Sequence, residues 1–136
     1  MLSRVELEQL FLLNPPASSA ALAAAEHQYG KPLPTDYVEF VQVSNGLNTD
    51  GNLAILEVEG VVQRNVDYEV EVYLPGYFMI GDDGGGTAIL IKDDDLRIYE
   101  VAMGVMDEES MRLSANSLED LLINHHGKPL VERGGW

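Results

Sequence analysis

Two short segments constrain this chain more than anything else in it. One is Leu33-Pro34-Thr35-Asp36-Tyr37-Val38-Glu39-Phe40, running on to Asn45-Gly46; the other is Ile80-Gly81-Asp82-Asp83-Gly84-Gly85-Gly86. The first reads as a helix entered at a proline, whose fixed φ suits the first turn, and stopped at a glycine that can turn left-handed. The second reads as a strand running into a turn that only glycines allow, with two carboxylates on it. Neither carries a nucleophile, a metal cage or a cradle for phosphate.

The rest of the chain falls into place around them. Ser3-Arg4-Val5-Glu6 has the form of a capping box and opens a first helix, which Asn14-Pro15-Pro16 ends. Ser18 or Ser19 can cap a second helix through the alanine run, stopped by Gly30. A third helix spans Thr35 to Ser44, with Tyr37, Phe40, Val41 and Ser44 at helical spacing on the core side. A loop over Asn48 to Asn52 leads to a short strand at Leu53 to Leu56.

The stretch 58–74 admits two readings. Val58, Val61, Val62 and Asn65 match a helix, whereas Val70, Val72 and Leu74 alternate with Glu69, Glu71 and Tyr73 as in an edge strand. Pro75-Gly76 then turns the chain into three firm strands: Tyr77 to Ile80, Thr87 to Ile91, and Leu96 to Met103. The turn at Lys92 to Asp95 makes the last two an antiparallel hairpin. Met111 to Leu113 offers a further strand. Asn116 or Ser117 caps a final helix carrying Leu118, Leu121, Leu122 and His125, which Gly127 stops. N-terminal helices, a central antiparallel sheet and a C-terminal helix make an α+β fold, and 136 residues without an internal linker suit a single domain over 1–136.

Charge narrows the choice of partner. Twenty-three acidic residues face eight basic ones, for a formal net charge of −15. Such a field repels nucleic acid and anionic membranes and speeds encounter with basic proteins; it also aids solubility by itself. The chain has no cysteine, which rules out disulfides and thiolate metal sites and fits a reducing compartment. No apolar run approaches the length that spans a bilayer, and Glu6 and Glu8 interrupt the first apolar stretch, so a soluble, cytoplasmic protein is expected.

The candidate chemical sites are weak. Thr87 opens a strand where a phosphate loop needs a lysine and a helix, and Asp82 and Asp83 would repel phosphate. Asn48, Asp50, Asn52 and Glu59 have part of the spacing of a calcium loop, but Leu53 stands where that loop needs glycine. Adjacent histidines on a helix diverge by about 100°, so His125 and His126 do not chelate one ion, and their place at a helix end suits positive charge. No catalytic residue, metal ligand or cofactor site is expected.

The acids allow a surface reading instead. On a strand, Asp67, Glu69, Glu71 and Tyr73 would share one face. That row is either a solvated edge that charge protects from aggregation, or a docking strip with an aromatic contact. Asp82 and Asp83, and the hairpin acids Asp93, Asp94 and Asp95, are the other candidates for binding a partner.

From about Ala24 to Leu122 the order of motifs resembles the SUKH superfamily, which includes yeast cell-wall assembly regulators and many bacterial toxin-immunity proteins. The resemblance rests on Gly30, Leu33-Pro34, Asp36-Tyr37, Phe40, Asn45-Gly46, Pro75-Gly76, Ile80-Gly81-Asp82, Gly86, Val101 and Ser117-Leu118. It implies an α+β domain without known catalysis that recognises another protein. In bacteria the implied role is an immunity protein that binds a cognate toxin, often a nuclease. The alternative it implies is an intracellular adaptor or regulator with no toxin partner. Joined to the charge, it makes a basic protein the expected partner.

Overall fold

The computed structural model describes residues 2–135. Ser3 caps α1 (Arg4–Glu8), its hydroxyl accepting from the Glu6 amide, and Ser18 does the same for α2 (Ser19–Tyr29) through Ala21. Gly30 closes α2 with φ 83°, the left-handed conformation that its lack of a Cβ permits. Pro34 leads into α3 (Thr35–Val41), which ends before the expected Ser44. Ser44 is instead a buried link: its hydroxyl donates to the Gly46 carbonyl at 2.8 Å and accepts from the Asn14 amide at 2.9 Å.

Six strands follow one another in a continuous antiparallel meander. They are β1 (Leu47–Asn48), β2 (Ala54–Ile55), β3 (Tyr77–Asp82), β4 (Thr87–Lys92), β5 (Ile98–Ala102) and β6 (Arg112–Ala115). Between β2 and β3 lie α4 (Val58–Asp67) and the single turn α5 (Val70–Tyr73). Ser117 caps the closing helix, which winds as a π-helix over Asp120–Asn124. The α+β architecture expected from the sequence is the one observed. Among the described residues no helix is long and apolar enough to cross a membrane.

Strand alternation gives the sheet two buried faces. Phe78, Ile80, Ile89, Ile91 and Ile98 point toward Tyr37, Phe40, Val61 and Leu121 of the helices. Tyr77, Met79, Ala88, Leu90 and Val101 point the other way, under Val70, Leu74 and Met106. The central strands are therefore apolar along their middles, Tyr77 to Ile80 and Ala88 to Ile91, as strands covered on both sides must be. At the far side of the sheet the buried Glu100 carboxylate accepts from Ser114 at 2.7 Å and from the Leu130 amide at 2.9 Å, which ties down the 3-10 turn Leu130–Arg133.

The two faces need different covers, and the chain passes from one to the other at α4 and α5. β2 is too short to pair with all of β3: it reaches Gly81 and Asp82 only. Beyond its end, Asn65 of α4 supplies the missing neighbour. Its side-chain amide donates to the Met79 carbonyl and accepts from the Met79 amide, at 2.9 and 2.8 Å. The chain then turns at Glu69, whose φ of 52° and ψ of 42° are left-handed, and lays Val70 and Leu74 against the second face.

The segment after Asp67 is thus a helical turn, not the extended edge strand read from alternation. Val70 and Leu74 are four apart, a spacing that puts two residues on one side of either a strand or a helix. Val72 decides between them: a strand would bury it with the other two, and it is 69% exposed. Asp67, Glu69, Glu71 and Tyr73 consequently do not form one flat row.

Candidate functional site

The passage from α4 to α5 leaves a groove of about 350 Å³ against α2. Its walls include Tyr29, Val62, Val66, Val72 and Tyr77, and Glu69 and Glu71 stand among them. Amphipathicity explains the inner wall: Val58, Val61, Val62 and Asn65 form the buried stripe of α4. The outer wall has no such explanation. Val66 and Val72 are 59% and 69% exposed, on a wall that also carries Glu69 and Glu71. An apolar patch ringed by charge is the form of a protein contact.

The mouth of the groove holds a cation. Lys31, just after α2, places its Nζ 2.8 Å from the Glu71 carboxylate and 5.0 Å from the centre of the Tyr29 ring. The hydrogen bond to Glu71 raises the Lys31 pKa. Burial raises that of Tyr29; Lys31 opposes the rise, and Asp93 and Glu71 add to it. Asp93 reaches this place because its amide donates to the Gly76 carbonyl at 2.9 Å, tying the β4–β5 hairpin to the turn before β3. Partial desolvation holds the Asp93 carboxyl above the usual range; Lys31 pulls it down, and Glu71 and Asp94 push it up.

Glu71 thus stands on the groove, and Asp93, from a separate group of candidate acids, acts on Lys31 and Tyr29 by its charge. Asp67 ends α4 nearby and accepts from Gln63 at 2.8 Å, and Tyr73 is exposed at the end of α5. Asp94 and Asp95 are exposed at the hairpin tip, where Asp95 accepts from the Arg97 amide at 3.0 Å.

Asp82 and Asp83 are placed differently from the expected docking acids. Asp83 is 5% exposed, and one oxygen of its carboxylate accepts from the amides of Gly85 and Thr87. It holds the glycine turn together and has no face to offer a partner. Asp82 accepts from the Gly84 amide and pairs with Arg64 at 3.1 Å. The loop that resembled a calcium site has its Asn52 amide bound to Glu132 at 2.6 Å. Among the described residues no group of three or more His, Asp or Glu side chains is arranged to hold a metal ion.

No functional place was expected for Lys31, Tyr29, Val66 or Val72, the last of which entered only as part of the alternating stretch. One signal was available for Val66, an apolar residue beside the buried stripe of a helix already supplied with valines. Lys31 had no signal, because only the fold brings it to Glu71.

The raised carboxyls carry a pH prediction. Asp36 is also held high, chiefly by burial and then by Glu39 and Glu119. A carboxyl with a raised folded-state pKa adds stability that is complete below its unfolded-state value and is lost as pH rises through the folded one. The urea midpoint should therefore increase as pH falls from 7 toward the ordinary aspartate range. Below that range Asp120 acts the other way, since the Asn116 amide and the Asn124 side chain hold it low and its contribution is lost on protonation. Asp93→Asn should leave stability at pH 7 within about 0.5 kcal/mol of wild type, on the stabilising side, and should flatten this profile. A loss well beyond that size would mean that the Asp93 charge is required for folding.

Comparison with known proteins finds similarity over most of the chain. A sequence profile of the SMI1 / KNR4 family (SUKH-1) matches residues 16–124. A relative from Bacillus subtilis (strain 168), uncharacterized protein YnaB, is 34% identical over 80 residues, covering 59% of this chain and 54% of the relative. The chain thus spans about half the length of the curated relative it matches.

Proposed function

The chain belongs to the SMI1 / KNR4 family (SUKH-1), and from that premise we propose that it acts by binding a basic protein, as an immunity protein that neutralises a cognate toxin. The observation that carries this reading is the α2–α4–α5 groove, where exposed Val66 and Val72 stand among Glu69 and Glu71 on a chain of net charge −15. The apolar residues give the partner something to bury, and the acids select a basic one.

A nuclease is a partner of the right chemistry. Its substrate groove is basic, and an acidic protein lying in it excludes the nucleic acid. Opposite charge speeds capture, and the buried contacts then set how long the complex lasts. No bond is made or broken in this mechanism, and no metal or cofactor takes part in it.

Co-expression tests the role. The product of the gene next to this one should arrest a bacterial host when expressed alone, and the chain should restore growth. Binding without growth arrest would move the protein to the alternative role of an intracellular adaptor. Growth arrest that the chain neither binds nor relieves would contradict the immunity reading.

A further inference from the structure

The Lys31 contact has the form of recognition within one molecule. Its ammonium lies between a carboxylate and the face of an aromatic ring, which is how proteins hold the cationic side chains of others. Yet the pair is open to water, with the side chains of Lys31 and Glu71 43% and 66% exposed. An ion pair so exposed is held weakly and exchanges readily. The apolar wall of Val66 and Val72 begins beside it and is itself uncovered.

We propose that Tyr29 and Glu71 form a cation site at the mouth of the groove, which Lys31 fills in the free protein and from which an arginine or lysine of the partner displaces it. The occupant is a segment of a basic protein that carries this cation with apolar residues beside it. The cation takes the place of Lys31, and the apolar neighbours cover Val66 and Val72. The other lysine nearby, Lys92, lies 5.8 Å from the Tyr77 ring and close to Asp94 and Asp95, so it balances the hairpin acids instead. Lys31 is then a competitor built into the chain. It keeps the site from binding any cation that lacks the apolar flanks, because only the flanks add what is needed to displace it.

This inference rests on the protein-binding reading above and assigns that reading a place and a partner chemistry. Its test uses two synthetic peptides of twelve residues, each with leucines flanking one central position that is arginine in the first and the neutral isostere citrulline in the second. They are titrated at low salt into isotopically labelled wild-type protein, Lys31→Met and Lys128→Met. The last removes the same charge from an exposed position outside the groove. The arginine peptide should shift the amides of Tyr29, Val66 and Val72. Lys31→Met should bind it roughly threefold tighter or more, and Lys128→Met should match wild type. The citrulline peptide should gain nothing from Lys31→Met.

Equal or weaker binding to Lys31→Met would overturn the proposal, as would an equal gain in Lys128→Met or no binding by either peptide. Shifts confined to residues 93–95 or 107–109 would also overturn it. Capture of the cognate toxin in the co-expression test would then still stand, so the two failures are distinguishable.

Discussion

Asn65→Leu should lower the free energy of unfolding by about 3 kcal/mol, although leucine is apolar, similar in size and a better helix former. The reason lies outside α4. The Asn65 side chain bonds both the Met79 amide and carbonyl where β2 has run out, and Met79 is fully buried. Leucine cannot replace either bond, and each buried polar group left without one costs about 1–3 kcal/mol. The midpoint of urea unfolding reads the loss, and hydrogen exchange locates it, because the Met79 amide should lose protection more than those of β4. A variant as stable as wild type would mean that water or a shifted β2 takes over the edge of β3.

Gly81→Ala should be as damaging, about 3 kcal/mol, for a steric reason. Gly81 sits opposite Ile55 beside an irregularity in the β3–β4 register, and a Cβ there would overlap the Ala54 carbonyl oxygen. The obstacle is backbone, which cannot rotate away as a long side chain can. Relief requires β2 to leave β3, which also loosens β1 and the cover over Phe78 and Ile80. Gly60→Ala is the control: it lies within α4, nothing stands within 4 Å of its added Cβ, and alanine should stabilise there by about 0.5–1 kcal/mol. Thermal unfolding of both variants checks the pair, and equal, small effects would show that β2 adjusts freely.

These residues show where the sequence was legible. β3, β4, the β4–β5 hairpin and the helix caps at Ser3, Ser18 and Ser117 follow from local chemistry, namely short apolar runs bounded by turn residues and hydroxyls that satisfy helix amides. The Gly81 segment stood out as a motif, and its purpose, a close approach of two backbones, needed the fold. Asn45 was read as a helix stop. Its Oδ1 in fact accepts from the Val58 amide at 2.9 Å, so it caps α4 thirteen residues away in sequence.

Residues 68–74 were misread because Val70 and Leu74 suit both periodicities, and because a non-glycine left-handed residue at Glu69 leaves no mark in sequence. Among the candidate acids, Glu69 and Glu71 line the groove, whereas Asp83 is buried in its turn. Nothing in one sequence separates a carboxylate aimed at water from one aimed at its own backbone.

The account's central claim is that the acidic groove captures a basic protein. Association kinetics across a range of salt, for wild type and the Glu69→Lys, Glu71→Lys double variant, test it most directly, with the product of the neighbouring gene as partner. Both positions are exposed, so the variant should keep the wild-type melting profile. The wild-type association rate should fall steeply with salt as the Debye length shrinks to about 8 Å near physiological strength, and the variant should associate more slowly with a shallower dependence. Identical rates for the two proteins at every salt concentration would contradict the claim and remove this face from the mechanism.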